Sequence, residues 1–211
     1  MFNITQHESK QDNRIMQQLP HIFIVTLMLT FFGCQSQDRS AGTGYETIAG
    51  ESLRDSETAR EHNAIGLKAI EDGDMEEAEQ AFKQALEADV MFGPAHNNLG
   101  KLYHTQELFY KAAWEYQYAI KLMPYHPEPK YNLGLVYESV GKLDEAITLY
   151  DQARTIQPDN PVLIGNYTRA RIKRGDKAPE IRDLLTELLL KDTRPEWITW
   201  AKHRQAMLPT P

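Results

Sequence analysis

YNLGLVYESVGKLDEAITLYDQARTIQPDN, residues 131–160, holds two short helical patterns separated by one glycine and closed by a proline. Apolar residues recur at helical spacing in 131–137, and Gly141 stands where that first helix must end in a left-handed cap. Pro158 closes the second pattern, since proline cannot continue a helix. Gly134 lies inside the first helix, where glycine costs ~1 kcal/mol against alanine. Close approach of a neighbouring helix offsets that cost, and Ala146 supplies a matching small surface on the second helix.

The chain contains this unit three times. Segments 59–92, 93–126 and 127–160 align without a gap at a period of 34 residues. The alignment superposes Ile65/Leu99/Leu133, Gly66/Gly100/Gly134, Ala69/Tyr103/Tyr137, Ala78/Ala112/Ala146, Phe82/Tyr116/Tyr150 and Ala85/Ala119/Ala153, with Pro124 and Pro158 closing two of the units. Leu-Gly-x-x-Tyr, then Ala, Phe or Tyr, Ala and Pro at these spacings resembles the tetratricopeptide repeat (TPR). The resemblance implies an all-α TPR superhelix of stacked antiparallel helix pairs, whose concave wall is lined by the first helix of each pair. Gly73 matches Gly141 as a cap, but Glu107 breaks the pattern in the middle unit, so that turn is expected to be looser or differently capped.

Residues 161–211 are expected to form a divergent fourth repeat and a C-terminal capping helix. Pro161 and Gly175 bound one helix and Pro179 opens another over 179–191. Thr168 stands at the glycine position, and Glu180 and Glu187 at the two alanine positions, so packing must differ there. Pro195 opens a last amphipathic helix whose Trp197, Trp200, Ala201 and Leu208 can cover the end of the stack.

By the resemblance, the concave wall carries Arg60, Asn63, Leu67 and Ile70 in the first unit, Asn97, Lys101 and His104 in the second, Tyr131, Leu135 and Glu138 in the third, and Arg169 in the fourth. The clamp of Lys, Arg and Asn with which such proteins grip a terminal carboxylate would want basic residues where Asn63, Glu128 and Val162 stand. Only Asn98 and Asn132 fit, so no such clamp is expected. An extended or helical peptide, held through Tyr131, Leu135 and asparagine side chains, suits the wall better.

Upstream, IFIVTLMLTFF (22–32) is uncharged and apolar and is followed by Gly33 and Cys34, the only cysteine of the chain. It is shorter than the ~20 residues a permanent span needs and of the length of a signal-peptide core. Gly followed by Cys at this place resembles the lipobox of bacterial lipoproteins, which implies a signal peptide at 1–33 and a lipid on Cys34. Residues 34–58 are polar with scattered Gly and Ser and read as a tether. Gln35 is not the aspartate that retains such proteins at the inner membrane in enteric bacteria, so a periplasm-facing position on the outer membrane is expected.

Composition excludes other classes. The 211 residues carry a formal net charge of −7, which disfavours nucleic acid, and a single cysteine permits no internal disulfide. HEXXH, GXSXG, GXGXXG and a phosphate-binding loop are missing, and the histidines show no metal-binding spacing. No cofactor, metal, catalytic residue or small-molecule substrate is therefore expected. Charge is segregated: 71–79 holds six carboxylates, and 169–177 holds five cations against Asp176. The reading that emerges is a non-enzymatic, lipid-anchored scaffold or adaptor, similar to pilotins or to envelope-assembly adaptors. A self-assembling envelope lipoprotein and, more distantly, an enzyme using His104 and Glu138 stand as alternatives.

Overall fold

Helix boundaries fall where side chains and prolines dictate them. The computed structural model describes residues 54–177 and 179–209. The signal segment 1–33, Cys34 and the tether up to residue 53 lie outside the described residues. Among the described residues there are nine helices: α1 (Ser56–Asp72), α2 (Met75–Ala88), α3 (Gly93–Thr105), α4 (Phe109–Leu122), α5 (Pro127–Ser139), α6 (Leu143–Ile156), α7 (Pro161–Arg174), α8 (Pro179–Lys191) and α9 (Pro195–Ala206). Asp55, Asp74 and Asn160 cap α1, α2 and α7 by accepting from the amides of Thr58, Glu77 and Val162. Proline occupies the first turn of α3, α5, α7 and α9, where its missing N–H leaves no bond unmade.

The four first helices end alike. Amides of Asp74, Leu108, Lys142 and Asp176 reach back to the carbonyls of Ala69, Tyr103, Tyr137 and Arg171, the long bond of a left-handed helix cap. Gly73, Gly141 and Gly175 supply the positive φ (83°, 79° and 103°). The middle unit was expected to close differently. It closes the same way, with Glu107 forced to φ 59°. Neighbouring bonds at 2.8 Å and 3.0 Å hold it there at a steric cost.

The helix pairs are α1/α2, α3/α4 and α5/α6, each following first helix packing on the last helix of the pair before it. A ring, not an alanine, explains the helix-interior glycines. A Cβ added to Gly66, Gly100 or Gly134 would lie 2.5, 2.8 or 2.5 Å from Phe82, Tyr116 or Tyr150. Ala78, Ala112 and Ala146 are fully buried one turn before those rings and let the second helix come close enough to seat them. Phe82, Tyr116, Leu99, Leu102, Leu133 and Val136 form one continuous core through the three pairs.

In the fourth unit the same device is built from other parts. Thr168 is buried and turns its hydroxyl back on the Ile164 carbonyl. The close approach moves one turn upstream to Gly165, and the ring over it is Trp197 of α9, 2.7 Å from a would-be Cβ. α8 contributes Ile181, Leu184, Leu185 and Leu188 to a separate core that Trp197, Trp200, Ala201 and Leu208 close. α9 thus caps the stack and also substitutes for the aromatic that α8 lacks.

The first described residues are fastened down. Arg54 and Ser56 both bind the buried carboxylate of Asp89, at 3.7 and 2.7 Å, and the Asp55 amide donates to the Ala88 carbonyl. Residues 54–58, within the stretch expected to be tether, are thus bound to the first repeat, and α1 starts at Ser56.

Candidate functional site

Successive first helices touch one another, α1 with α3 and α3 with α5. They therefore line one common face of the stack, the face that the resemblance makes its concave wall. A ladder of side-chain bonds runs along this wall at intervals of one repeat plus one residue. Asn98 donates to Asn63 (2.9 Å), Asn132 to Asn97 (3.0 Å) and Asn166 to the Tyr131 hydroxyl (3.3 Å). Each rung ties one first helix to the next. Because the oxygens of Asn63 and Asn97 are taken, their amide NH2 groups remain as donors for a guest. Asn98 and Asn132, the two residues that fit a carboxylate clamp, are committed to these rungs.

The expected wall residues fall into three rows. Asn63, Asn97 and Tyr131 form the ladder row. Leu67, Lys101, Leu135 and Arg169 follow one turn on, and Ile70, His104 and Glu138 one turn beyond that. Arg60, Leu67 and Lys101 are exposed, whereas Asn63, Asn97 and His104 are half-buried. His104 leans on Phe109, centroids 5.9 Å apart, and burial lowers its pKa. Ile70 packs partly into the main core, and Leu135 and Tyr131 lean on a smaller one around Ala146, Ile147 and Tyr150.

Toward the C-terminal end the wall closes on itself. Glu138 accepts from the Tyr150 hydroxyl (3.0 Å) and from Arg169 (3.0 Å), with Lys173 at 3.8 Å. Its side chain is 11% exposed. Arg169 lies over the Trp197 ring, and Arg194 lies over that ring too, at 5.4 and 4.9 Å from its centroid. The Tyr131 ring sits 5.9 Å from Tyr150, and burial is the main cause of its raised pKa. His104 and Glu138, the pair considered for catalysis, therefore have separate partners. The basic run 169–177 is also largely spent locally: Arg171 and Arg174 bind Asp176, and Arg174 also binds Asp144.

His96 is buried; its Nδ1 lies 2.7 Å from Glu115 and its Nε2 3.0 Å from the Val90 carbonyl. The Asn-Tyr-Thr sequence at 166–168 resembles a glycosylation acceptor, but Asn166 is buried and donates to the Val162 carbonyl and to Tyr131. The ladder itself was missed, although its signal was present as asparagines recurring at 63, 97/98, 132 and 166. No group of three potential metal ligands occurs among the described residues.

Comparison with known proteins agrees with this architecture. Residues 63–127 and 127–160 each match a tetratricopeptide-repeat family model. Protein bimA of Emericella nidulans is 34% identical over 101 residues, which are 48% of this chain and 12% of that protein. The first TPR domain of Spaghetti (RPAP3), solved with an HSP90 peptide, superposes with a TM-score of 0.57 at 19% identity, over 59% of this chain and 98% of that one. YrrB, a TPR protein with an unusual peptide-binding site, gives 0.60 at 16% identity over 72% and 81%. The O-GlcNAc transferase of Thermobaculum terrenum gives 0.60 at 23% identity, over 65% of this chain and 26% of that one. Residues 63–160 are thus tetratricopeptide repeats, and the described chain has the all-α fold of stacked repeat pairs.

Proposed function

We propose that this protein is a non-enzymatic interaction scaffold that holds an extended or helical peptide of a partner protein along its concave wall. We further propose that it is lipid-anchored through Cys34 in a bacterial envelope, on the periplasmic side of the outer membrane. The asparagine ladder carries the first part. The Asn98–Asn63 and Asn132–Asn97 rungs each fix an amide oxygen and leave donors one repeat apart, beside exposed Leu67 and Lys101, which suits a peptide backbone flanked by side-chain contacts. Two of the structural relatives are described as binding peptides, which supports the same reading. A catalytic role finds less support, because Glu138 is committed to Tyr150, Arg169 and Lys173.

A photo-crosslinking residue at Lys101, compared in the native host with one at exposed Gln80 on α2, tests the wall. One discrete protein adduct from Lys101 alone is the expected result; equal labelling from both positions, or none, sinks the reading. Anchoring is tested separately. Cys34→Ser should move the chain from the membrane to the soluble fraction and remove the mass of the acyl groups.

A further inference from the structure

The side of the molecule away from the concave wall carries a stripe of aromatic residues. Tyr110, Trp114 and Tyr118 follow one another at i, i+4 and i+8 along α4 and so share one face. They are 82%, 52% and 39% exposed. Trp114 and Tyr118 lie 5.5 Å apart, and His96 stacks on Tyr118 at 5.3 Å. His96 in turn binds the Val90 carbonyl, and Val90 and Met91 are themselves exposed. The residue before them, Asp89, is the one that holds Arg54 and Ser56. A continuous strip of contacts therefore leads from the aromatic face to the first described residue of the chain.

We propose that this stripe is a membrane-surface contact, with α4 resting in the headgroup layer of the bilayer; the inference rests on the anchoring at Cys34 proposed above. Three observations favour lipid as the occupant. The first is proximity along the chain: 19 residues, 35–53, separate Cys34 from Arg54, so the strip beginning at Arg54 is the part of the described domain nearest the proposed anchor in sequence. The second is chemistry. Tyrosine and tryptophan join an apolar body to a polar tip and settle at the headgroup level, and Lys111 and Lys121 flank them, Lys121 lying over the Tyr118 ring at 5.2 Å. Glu115, the acid on the same helix, is withdrawn into its bond with His96 and repels anionic headgroups less. The third is shape, since an outward ridge meets a plane more fully than it meets the pockets in which protein hot spots seat their aromatics. Weak contacts of this kind suffice once an anchor makes them intramolecular.

The test uses the full chain, processed and purified from its host membrane and reconstituted in vesicles of phosphatidylethanolamine and phosphatidylglycerol containing a diazirine phospholipid. After illumination, tryptic peptides are mapped by mass spectrometry. Lipid adducts on peptides 102–111 and 112–121 are expected, and Tyr110→Ser/Trp114→Ser should reduce them about tenfold while lowering the thermal melt by only a few degrees. Tyr110→Ser alone, at the most exposed of the three positions, should give a smaller loss in the same direction. Adducts confined to residues before 54 would overturn the proposal and leave the anchor standing. A chain that does not float with the vesicles and takes no lipid label at all would remove both. Absence of lipid adducts on these two peptides, together with a protein adduct from a photo-crosslinking residue placed at Tyr110, to a second copy or another polypeptide, would overturn it in favour of a protein interface.

Discussion

At the scale of single residues, the repeat can be probed where it departs from its own rule. Glu107 takes the left-handed conformation that glycine fills in the other three turns. Because the geometry is already formed around it, Glu107→Gly should raise stability by about 1 kcal/mol, read as a higher urea midpoint at unchanged slope. Gly134 should behave in the opposite sense. Alanine there gains ~1 kcal/mol of helix propensity but drives a Cβ to 2.5 Å from the buried Tyr150 ring, whose hydroxyl is held by Glu138. Overpacking of this kind costs up to ~3 kcal/mol, so Gly134→Ala should lose about 2 kcal/mol, and the loss should vanish when Tyr150 is also replaced by leucine. Asp176 offers a pH signature. Arg174 first, and Arg171 with it, hold its carboxylate at a pKa of about 2 against an ordinary 3.8. A depressed carboxylate stabilises the fold above its unfolded pKa and loses that contribution as pH falls through the folded one. The melting-temperature gap between the wild type and Asp176→Asn should therefore be full above pH ~4 and close as the pH approaches ~2.

At the scale of the helical element, the sequence is most legible where local chemistry decides. Prolines and capping aspartates mark the helix starts, and the 34-residue period marks the pairing, because both depend on residues within one unit. Legibility fails where a distant element supplies the partner. Thr168 at the glycine position correctly signalled altered packing in the fourth unit, but that Gly165 would receive Trp197 from beyond α8 could not be read from spacing within one repeat. For the wall, the resemblance supplied positions and not their states. Asn63, Leu67, Lys101 and Glu138 were placed on the first helices by the period, yet which of them is ion-paired depends on neighbours a repeat away, such as Arg169 for Glu138. Likewise α4 reads as an ordinary second helix until His96 is seen joining its aromatic stripe to Val90. Trp197 is the element-scale test. Removing its ring would unseat α9 from α7 and leave two arginines without their shared platform, so Trp197→Ala should cost ~3 kcal/mol in the C-terminal unit.

At the scale of the whole molecule, helix pairs bind mainly their immediate neighbours, and stability in such an array is a sum of unit and interface terms rather than one indivisible quantity. The cores show the division: one runs through the first three pairs, a second belongs to α7, α8 and α9, and the cluster around Tyr150 and Ala170 joins them. That cluster, the Asn166–Tyr131 rung and the pairs of Glu138 with Arg169 and Lys173 carry side-chain coupling from the cap toward the centre of the wall, and ion pairs of Arg174 with Asp144, Glu187 with Arg154 and Lys191 with Asp159 join the cap to α6 and the loop after it. Damage to the cap should therefore spread a short way and stop. In native-state hydrogen exchange, Trp197→Ala should lower amide protection by two orders of magnitude or so in α7, α8 and α9, by less in α5 and α6, and hardly at all in α1 to α4. A uniform loss across all nine helices would show that the stack opens as a single unit. It would also mean that a guest on the wall at Lys101 senses the cap, whereas the graded result leaves the N-terminal half of the wall able to bind while the cap frays.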